Sequence, residues 1–395
     1  MTTATHQVTP IDVDRFLADP STGIIVCCGS GGVGKTTTAA ALGVRAAEQG
    51  RKVVVLTIDP ARRLAQSLGL SELDNTPRPV ASIETTAGGS LDAMMLDMKR
   101  TFDEVVTNHS TPEKAEQILA NPFYQALSSS FAGTQEYMAM EKLSQLSQEA
   151  AEQGTWDLIV VDTPPSRSAL DFLDAPKRLG SFLDGRFIRL LMAPAKAGGR
   201  AYLKVITGGL NMATSVMTKL LGGQVLQDVQ TFVAALDTMF GGFRHRAEAT
   251  YALLKDERTA FVVVAAPERD ALREASYFVD RLQEEHMPLA GVLINRVQQV
   301  AAAGLTAARA DAAAEVLGEA SHEGTGSATA ALTEGLLRVH ADVAETAERH
   351  HAHTRRFVDG HPGIPVTEVP AAAQDIHDVD GLREIGAALA EVASS

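Results

Sequence analysis

Two cysteines stand in a chain of 395 residues, and they are neighbours, Cys27 and Cys28. Adjacent thiols do not pair with each other, so a disulfide framework is excluded. Basic charge is also short. The chain has 35 Lys and Arg against 49 Asp and Glu, a net charge of −14 and a pI near 5.3. So acidic a surface is a poor match to nucleic acid, and no nucleic-acid partner is expected. No apolar run reaches the roughly 18 residues that a membrane span needs. The opening stretch, MTTATHQVTP, lacks the basic and apolar regions of a signal peptide. The expectation is a soluble, cytoplasmic protein.

What is present is an ordinary globular composition, 45% hydrophobic and 21% charged, enough to bury a large core. Within it, Gly29 to Thr36 reads GSGGVGKT and fits the phosphate-loop pattern G-x-x-x-x-G-K-[ST]. An apolar run, GIIVCC, precedes it from Gly23 to Cys28. An Ala-rich stretch, Thr37 to Gln49, follows as a predicted helix ended by Gly50. Strand, glycine-rich turn and helix are the context that this chemistry requires. Backbone N–H groups of the turn and of the helix start point at phosphate oxygens. The expected nucleotide-contacting residues are Gly29, Ser30, Gly31, Gly32, Val33, Gly34, Lys35, Thr36 and Thr37. Lys35 can reach the β- and γ-phosphates, and the Thr36 hydroxyl can hold Mg²⁺. Only one such loop occurs, so a tandem two-site ATPase is excluded.

Further apolar runs read as buried parallel strands: Lys52 to Ile58, Asp157 to Val161, Ala260 to Ala265, Leu289 to Ile294 and Ile364 to Val369. Helical patterns separate them. The reading is an α/β fold, a doubly wound and mostly parallel sheet of the P-loop NTPase kind, formed by one domain over 1–395. Asp162 ends one apolar strand, where an unpartnered carboxylate is costly; with Thr36 it can fix Mg²⁺. Two long helical segments, about 98–153 and 171–255, interrupt the rhythm and form a predicted helical subdomain. In the second, Val225, Val229, Phe232, Val233, Leu236, Met239 and Phe240 share one helical face. Nine of the eleven methionines lie between Met94 and Met239. Such a face is either the core of a helical subdomain or a groove for an apolar client. Residues Ala301 to Ala331 are rich in Ala and Gly, and Ser321 to Ser327 read as a flexible loop. A polar helix is predicted from about Thr333 to Val358. Its His350 and His353 share a face, which reads as solvated surface rather than a metal site.

Four blocks beyond the loop carry a family resemblance. They are LTIDPARRLAQSLG (Leu56–Gly69), WDLIVVDTPPSRSALDFLDAP (Trp156–Pro176), FVVVAAPERDALREASYFVDRL (Phe261–Leu282) with GVLINRV ending at Val297, and VTEVPAAAQDIHDVDGL (Val366–Leu382). With the phosphate loop, and in this order, they resemble the ArsA/GET ATPases. That family includes the arsenite-pump ATPase subunit and the tail-anchored-protein targeting ATPase. The resemblance covers most of the chain and implies a Mg-dependent ATPase of the deviant-loop type. It implies that Lys35 and Asp59 are catalytic, with Asp59 orienting or activating the attacking water. A helix N-cap for Ala61 onwards is the other reading of Asp59. Asp162 becomes the Walker B carboxylate. Asn295 matches the adenine-contacting Asn, beside the plainer reading of a strand-end turn. Pro370 matches a position near the adenine.

Three departures from the family pattern stand out. Ser30 occupies the place of the signature Lys that reaches the partner subunit's phosphates. Arg62, Arg63 and Arg167 lie in the switch regions, as surface groups or as substitute cations. The two cysteines cannot form the three-thiolate site that a soft metalloid needs. No C-x-x-C lies around Leu336 to Phe357, so the zinc clamp of the eukaryotic members has no equivalent. The resemblance implies ATP-driven opening and closing of a homodimer, or of a heterodimer with a related subunit, coupled to an apolar client or a membrane partner. The alternatives are the ATPase subunit of an anion pump and a weakly active nucleotide-binding regulatory subunit.

Overall fold

The computed structural model describes residues 9–59, 63–84, 86–122, 124–125, 128, 134–164, 246, 248–322 and 328–391. Its centre is one eight-stranded sheet. The strands are β1 Ile24–Cys28, β2 Lys52–Thr57, β3 Arg78–Pro79, β4 Ser90–Met95, β5 Leu158–Asp162, β6 Thr259–Ala265, β7 Leu289–Val297 and β8 Val366–Pro370. Their order is β3-β4-β2-β5-β1-β6-β7-β8. Only β3 runs antiparallel to its neighbour. The sheet is the doubly wound, mostly parallel one that the sequence predicts.

Ten helices have defined bounds among the described residues: α1 Val13–Ala18, α2 Lys35–Glu48, α3 Arg63–Ser67, α4 Met98–Asn108, α5 Pro112–Leu119, α6 Thr134–Gln153, α7 Arg269–Glu284, α8 Ala307–His322, α9 Ala328–Gly360 and α10 Val379–Glu391. Parallel strands buried on both faces need not alternate in polarity, and β1 and β5 are buried at every residue. Alternate side chains feed two cores. Ile24, Val26 and Cys28 face the core completed by α4, α5, α6 and α7. Ile25 and Cys27 face the core completed by α1, α2, α3 and α10. The helices of the first insertion thus bury Phe102, Val105, Ile118 and Leu143 against the sheet itself.

The ends of the strands are treated differently. At the N-terminal end, buried Arg51 donates to the Asp157 carboxylate at 2.6 Å and to the carbonyls of Leu17, Asp19 and Thr22. That arginine ties the start of β2 to the start of β5 and to the segment between α1 and β1. The C-terminal ends carry the loops from which a site can be built.

Several features differ from the sequence reading. Strands β3 and β4 have no counterpart in it. The Ala- and Gly-rich stretch contains helix α8, and Ser321 and His322, the first residues of the expected loop, close that helix; residues 323–327 lie outside the described residues. Helix α9 is longer than expected. His350 and His353 are half-buried and make contacts that a fully solvated face would not. Nδ1 of His350 accepts from the Gln298 N–H at 3.1 Å, and Nδ1 of His353 lies 3.0 Å from the Pro267 carbonyl, so it donates there. They tie α9 to the loops after β6 and β7. No group of three or more metal-ligating side chains occurs among the described residues, and no described helix is long and apolar enough to cross a membrane. The apolar face from Val225 to Phe240, together with Arg62 and Arg167, lies outside the described residues.

Candidate active site

The site starts where β1 ends. Gly29 takes φ +147 and Gly34 takes φ +96, conformations that side chains resist. Space forbids them as well. A Cβ on Gly29 would strike the Val264 carbonyl of β6, and one on Gly34 would strike the Asn295 amide. The turn therefore lies tight against β6 and β7. Helix α2 begins at Lys35, two residues earlier than the sequence reading, and its first ladder bond runs from Thr38 N–H to Gly34 C=O at 2.9 Å. The N–H groups of Lys35, Thr36 and Thr37 come before that ladder, at the positive end of the helix dipole.

Lys35 is only 6% exposed. Its ammonium donates to the Ser30 carbonyl at 2.7 Å and so folds back over the loop. Burial holds its pKa below the ordinary lysine value, while Asp162, the buried thiols and Asp59 pull it back up. Ser30 thus meets Lys35 through its backbone.

Asp162 ends β5 and is completely buried. Oδ2 accepts from the Thr36 hydroxyl at 2.8 Å and from the Thr57 hydroxyl at 2.9 Å. Oδ1 has no hydrogen-bond partner among the described residues. Burial pushes the carboxyl up to about 6, against the pull of the two hydroxyls and Lys35. A buried carboxylate oxygen without a partner is an unmet demand. A hard divalent cation answers it, since it prefers oxygen donors and charge. The Thr36 oxygen, having spent its proton on Asp162, keeps its lone pairs for the same ion. The residues present therefore fit Mg²⁺.

Thr57 is a site residue that sequence reading missed. It ends β2 directly opposite Asp162 in the β2–β5 register, and that pairing was the signal. Its hydroxyl also accepts from the Asp59 N–H at 3.2 Å. Asp59, half-buried, thus stands beside the Thr57–Asp162 pair. Helix α3 begins at Arg63; residues 60–62, on which the cap reading of Asp59 depends, lie outside the described residues. Arg63 itself is exposed.

Asn295 belongs to β7 and reaches the loop. Its amide nitrogen donates to the Val33 carbonyl at 2.9 Å, and its oxygen accepts from the Arg296 N–H at 3.0 Å. Pro370 ends β8, paired with Val297, so both residues stand at the same end of the sheet. Cys27 and Cys28 are buried in β1. Burial raises both thiols, Cys28 to about 12, so neither is a thiolate near neutrality.

A glycine-rich turn of the phosphate-loop pattern between β1 and α2, backed by a buried carboxylate at the end of the neighbouring strand β5, defines a P-loop nucleoside triphosphatase. Residues 22–319 match the family model of the anion-transporting ATPases, the ArsA ATPases. The chain belongs to that family and is an ATPase. It is 24% identical to the ATPase GET3 of Malassezia globosa, over 75% of this chain and 79% of the relative. It is 26% identical to ATPase ARSA1 of Chlamydomonas reinhardtii, over 69% of this chain but 35% of that longer relative. It is 30% identical to an arsenical pump-driving ATPase of Acidiphilium multivorum, over 40% of this chain and 26% of the relative. The chain thus spans only about a third or less of the two ArsA-type relatives.

Proposed function

We propose that this chain hydrolyses Mg-ATP and uses the cycle to open and close a dimer that handles an apolar client or a membrane partner. The observation that carries the metal-dependent part is the Oδ1 of buried Asp162, which has no partner among the described residues and stands beside the Thr36 hydroxyl. Thr36 and Asp162 hold the cation, directly or through water, and the ion neutralises charge on the phosphate oxygens. The loop N–H groups and Lys35 bind the β- and γ-phosphates. Asp59 orients the attacking water. Asn295 and Pro370 border the base, with Asn295 also holding the Val33 carbonyl.

Support for an apolar partner comes from α8 and α9. Leu332, Leu336 and Val339 recur at helical spacing on α9 and are about two-thirds exposed, as is Val316 on α8. The names of the relatives place arsenical pump driving beside GET3 in one family. In this chain the two thiols are buried in β1, which disfavours them as ligands of an allosteric metalloid.

The cation chemistry predicts a pH dependence. The folded carboxyl of Asp162 titrates above its unfolded value of 3.8. Without metal, its contribution to stability is therefore largest below about pH 4 and falls as pH rises to about 6. Cation binding requires the ionised form. Mg²⁺ affinity in the presence of ATP is expected to weaken progressively as pH drops below about 6, with proton release on binding. Calorimetry in buffers of different ionisation heat measures that proton. Affinity that is flat from pH 5 to pH 7 would remove Asp162 from the metal site.

Ser30 favours a second reading, a heterodimer in which a related subunit supplies the missing cation. Steady-state turnover of the lone chain and of Ser30→Lys separates the two. In a homodimer the added ammonium faces the partner's phosphates, and turnover should rise by up to about 10²-fold, the worth of one preorganised donor. In a heterodimer Ser30→Lys leaves the lone chain slow, and activity appears only on mixing the subunits. A lone chain that turns over fast, is monomeric with Mg-ATP bound and is indifferent to Ser30→Lys would overturn the dimer proposal.

A further inference from the structure

We propose that Gln135 is a positioning residue for ATP hydrolysis, holding the peptide that aims Asp59 and tying that peptide to the first helical insertion. The inference rests on the reading of Asp59 as the group that orients the water.

The backbone around Asp59 leaves the sheet where β2 runs out. Thr57 is its last residue, and the Thr57 carbonyl still accepts from the Leu96 N–H at 2.9 Å. The next N–H, of Ile58, donates to the Asp162 carbonyl at 3.0 Å. The Ile58 carbonyl lies past the end of the ladder, on a residue whose side chain is buried. A backbone carbonyl in such a place needs a donor. Gln135 supplies it, with its side-chain nitrogen 3.0 Å from the Ile58 oxygen across 77 residues of sequence.

That carbonyl and the Asp59 N–H belong to one peptide group, which is planar. The oxygen end is held by Gln135. The N–H end is held by the Thr57 hydroxyl, itself bonded to Asp162. Turning the plane breaks two hydrogen bonds at once. The plane fixes the position of the Asp59 Cα, from which the carboxylate is presented. Thr57 thus sets Asp59 from the sheet and Gln135 sets it from outside the sheet.

What lies behind Gln135 is rigid. It sits in the first turn of α6, followed by Tyr137, Met138, Ala139 and Met140, all buried. Two charged residues on α6 are buried and paired. Lys142 donates to Glu104 of α4 at 2.7 Å. Glu141 accepts from Arg246, near the end of the second insertion, at 2.8 Å and from the Tyr137 hydroxyl at 3.2 Å. A shift of α6 relative to β2 is therefore felt at the Ile58–Asp59 peptide, which gives the helical insertions a mechanical connection to the hydrolytic step.

The test uses the full chain with Mg-ATP. Gln135→Ala removes the donor. Gln135→Glu keeps the shape and sets an acceptor against the carbonyl. Both are expected to lower kcat about 10-fold or more, the cost of a displaced catalytic group or lost supporting bond. ATP affinity and the thermal midpoint should stay near wild type. In an Asp59→Asn background, measured by single turnover, Gln135→Ala should add less than about twofold, since both changes act through one group. A purely structural role for Gln135 would lower activity by the same factor in both backgrounds, and that result overturns the inference. So does a wild-type kcat in both Gln135 variants, or a loss that appears wholly in ATP affinity. If Asp59→Asn is slow and the Gln135 variants are normal, only the inference fails. If Asp59→Asn turns over normally, the reading of Asp59 and the inference fail together.

Discussion

Lys35→Ala is expected to abolish detectable ATP turnover and to weaken nucleotide binding sharply. The ammonium is the one cation that the loop itself brings to the phosphates, and it is already over the turn, held by the Ser30 carbonyl at 2.7 Å. In a buried site such a charge acts through a low dielectric and needs no reorganisation when charge develops on the transferred phosphoryl group. Loss of a comparable preorganised donor costs about 10²–10³-fold in rate, and here binding is lost as well. The folded state makes the opposite prediction for stability. Burial lowers the Lys35 pKa, so the fold disfavours the charged form. A neutral side chain of similar shape removes that penalty. Lys35→Met should therefore melt at or above the wild-type temperature in the absence of nucleotide. Calorimetric binding of ATP with a parallel melt checks both halves. Intact affinity and turnover would overturn the phosphate-loop assignment; lost activity with an unfolded protein would show Lys35 to be structural.

How much of this was legible follows from what each element needs. Six of the eight strands announce themselves as apolar runs because both of their faces are buried. Strand β4 does not, since Asp92 interrupts it; that carboxylate accepts from the Trp156 indole N–H at 2.8 Å, a partner 64 residues away. Strand β3 is two residues long and contains Pro79, so it has no pattern to read. Helix α8 hides for another reason. Its buried positions are the small residues Ala310, Ala314 and Gly318, and the helix packs along α9, where Ala341 and Ala344 are buried too. Small-to-small contact leaves no amphipathic stripe in the sequence.

The site divides the same way. Lys35, Thr36 and Asp162 stand out as candidates because phosphate and cation chemistry favours those residue types where a strand gives way to a loop and a helix start. The structure brings Thr36 and Asp162 into direct contact across 126 residues. Thr57 and Gln135 are illegible because a hydroxyl or amide has many ordinary uses. Only the register of β2 against β5, and the approach of α6 to Ile58, give them a task. Asn295 shows a residue whose match to a family position said less than its geometry. Its amide secures the Val33 carbonyl and fills the space that a Cβ on Gly34 would need.

Asp59→Asn is expected to leave Mg-ATP bound and to slow its hydrolysis by about 10²–10⁴-fold, the usual worth of a positioned base or orienting group. The substitution keeps the size of the side chain and leaves the backbone tether intact, because it is the Asp59 N–H, not the carboxylate, that donates to Thr57. The proposed metal set, Thr36 and Asp162, is untouched. What changes is charge and acceptor capacity at the point where water meets the γ-phosphorus. As the new P–O bond forms and the bond from the γ-phosphorus to the oxygen leaving with ADP breaks, the water must shed a proton, and a carboxylate beside it orients the hydroxyl and can take that proton. An amide can donate as readily as accept and has no such preference. Single-turnover hydrolysis of pre-bound nucleotide measures the step apart from product release. A variant that binds Mg-ATP and hydrolyses it at the wild-type rate would move Asp59 out of the chemistry. In that case the Thr57 tether would serve only the shape of the loop, and the search for the group that orients the water would pass to residues 60–62 and 165–245.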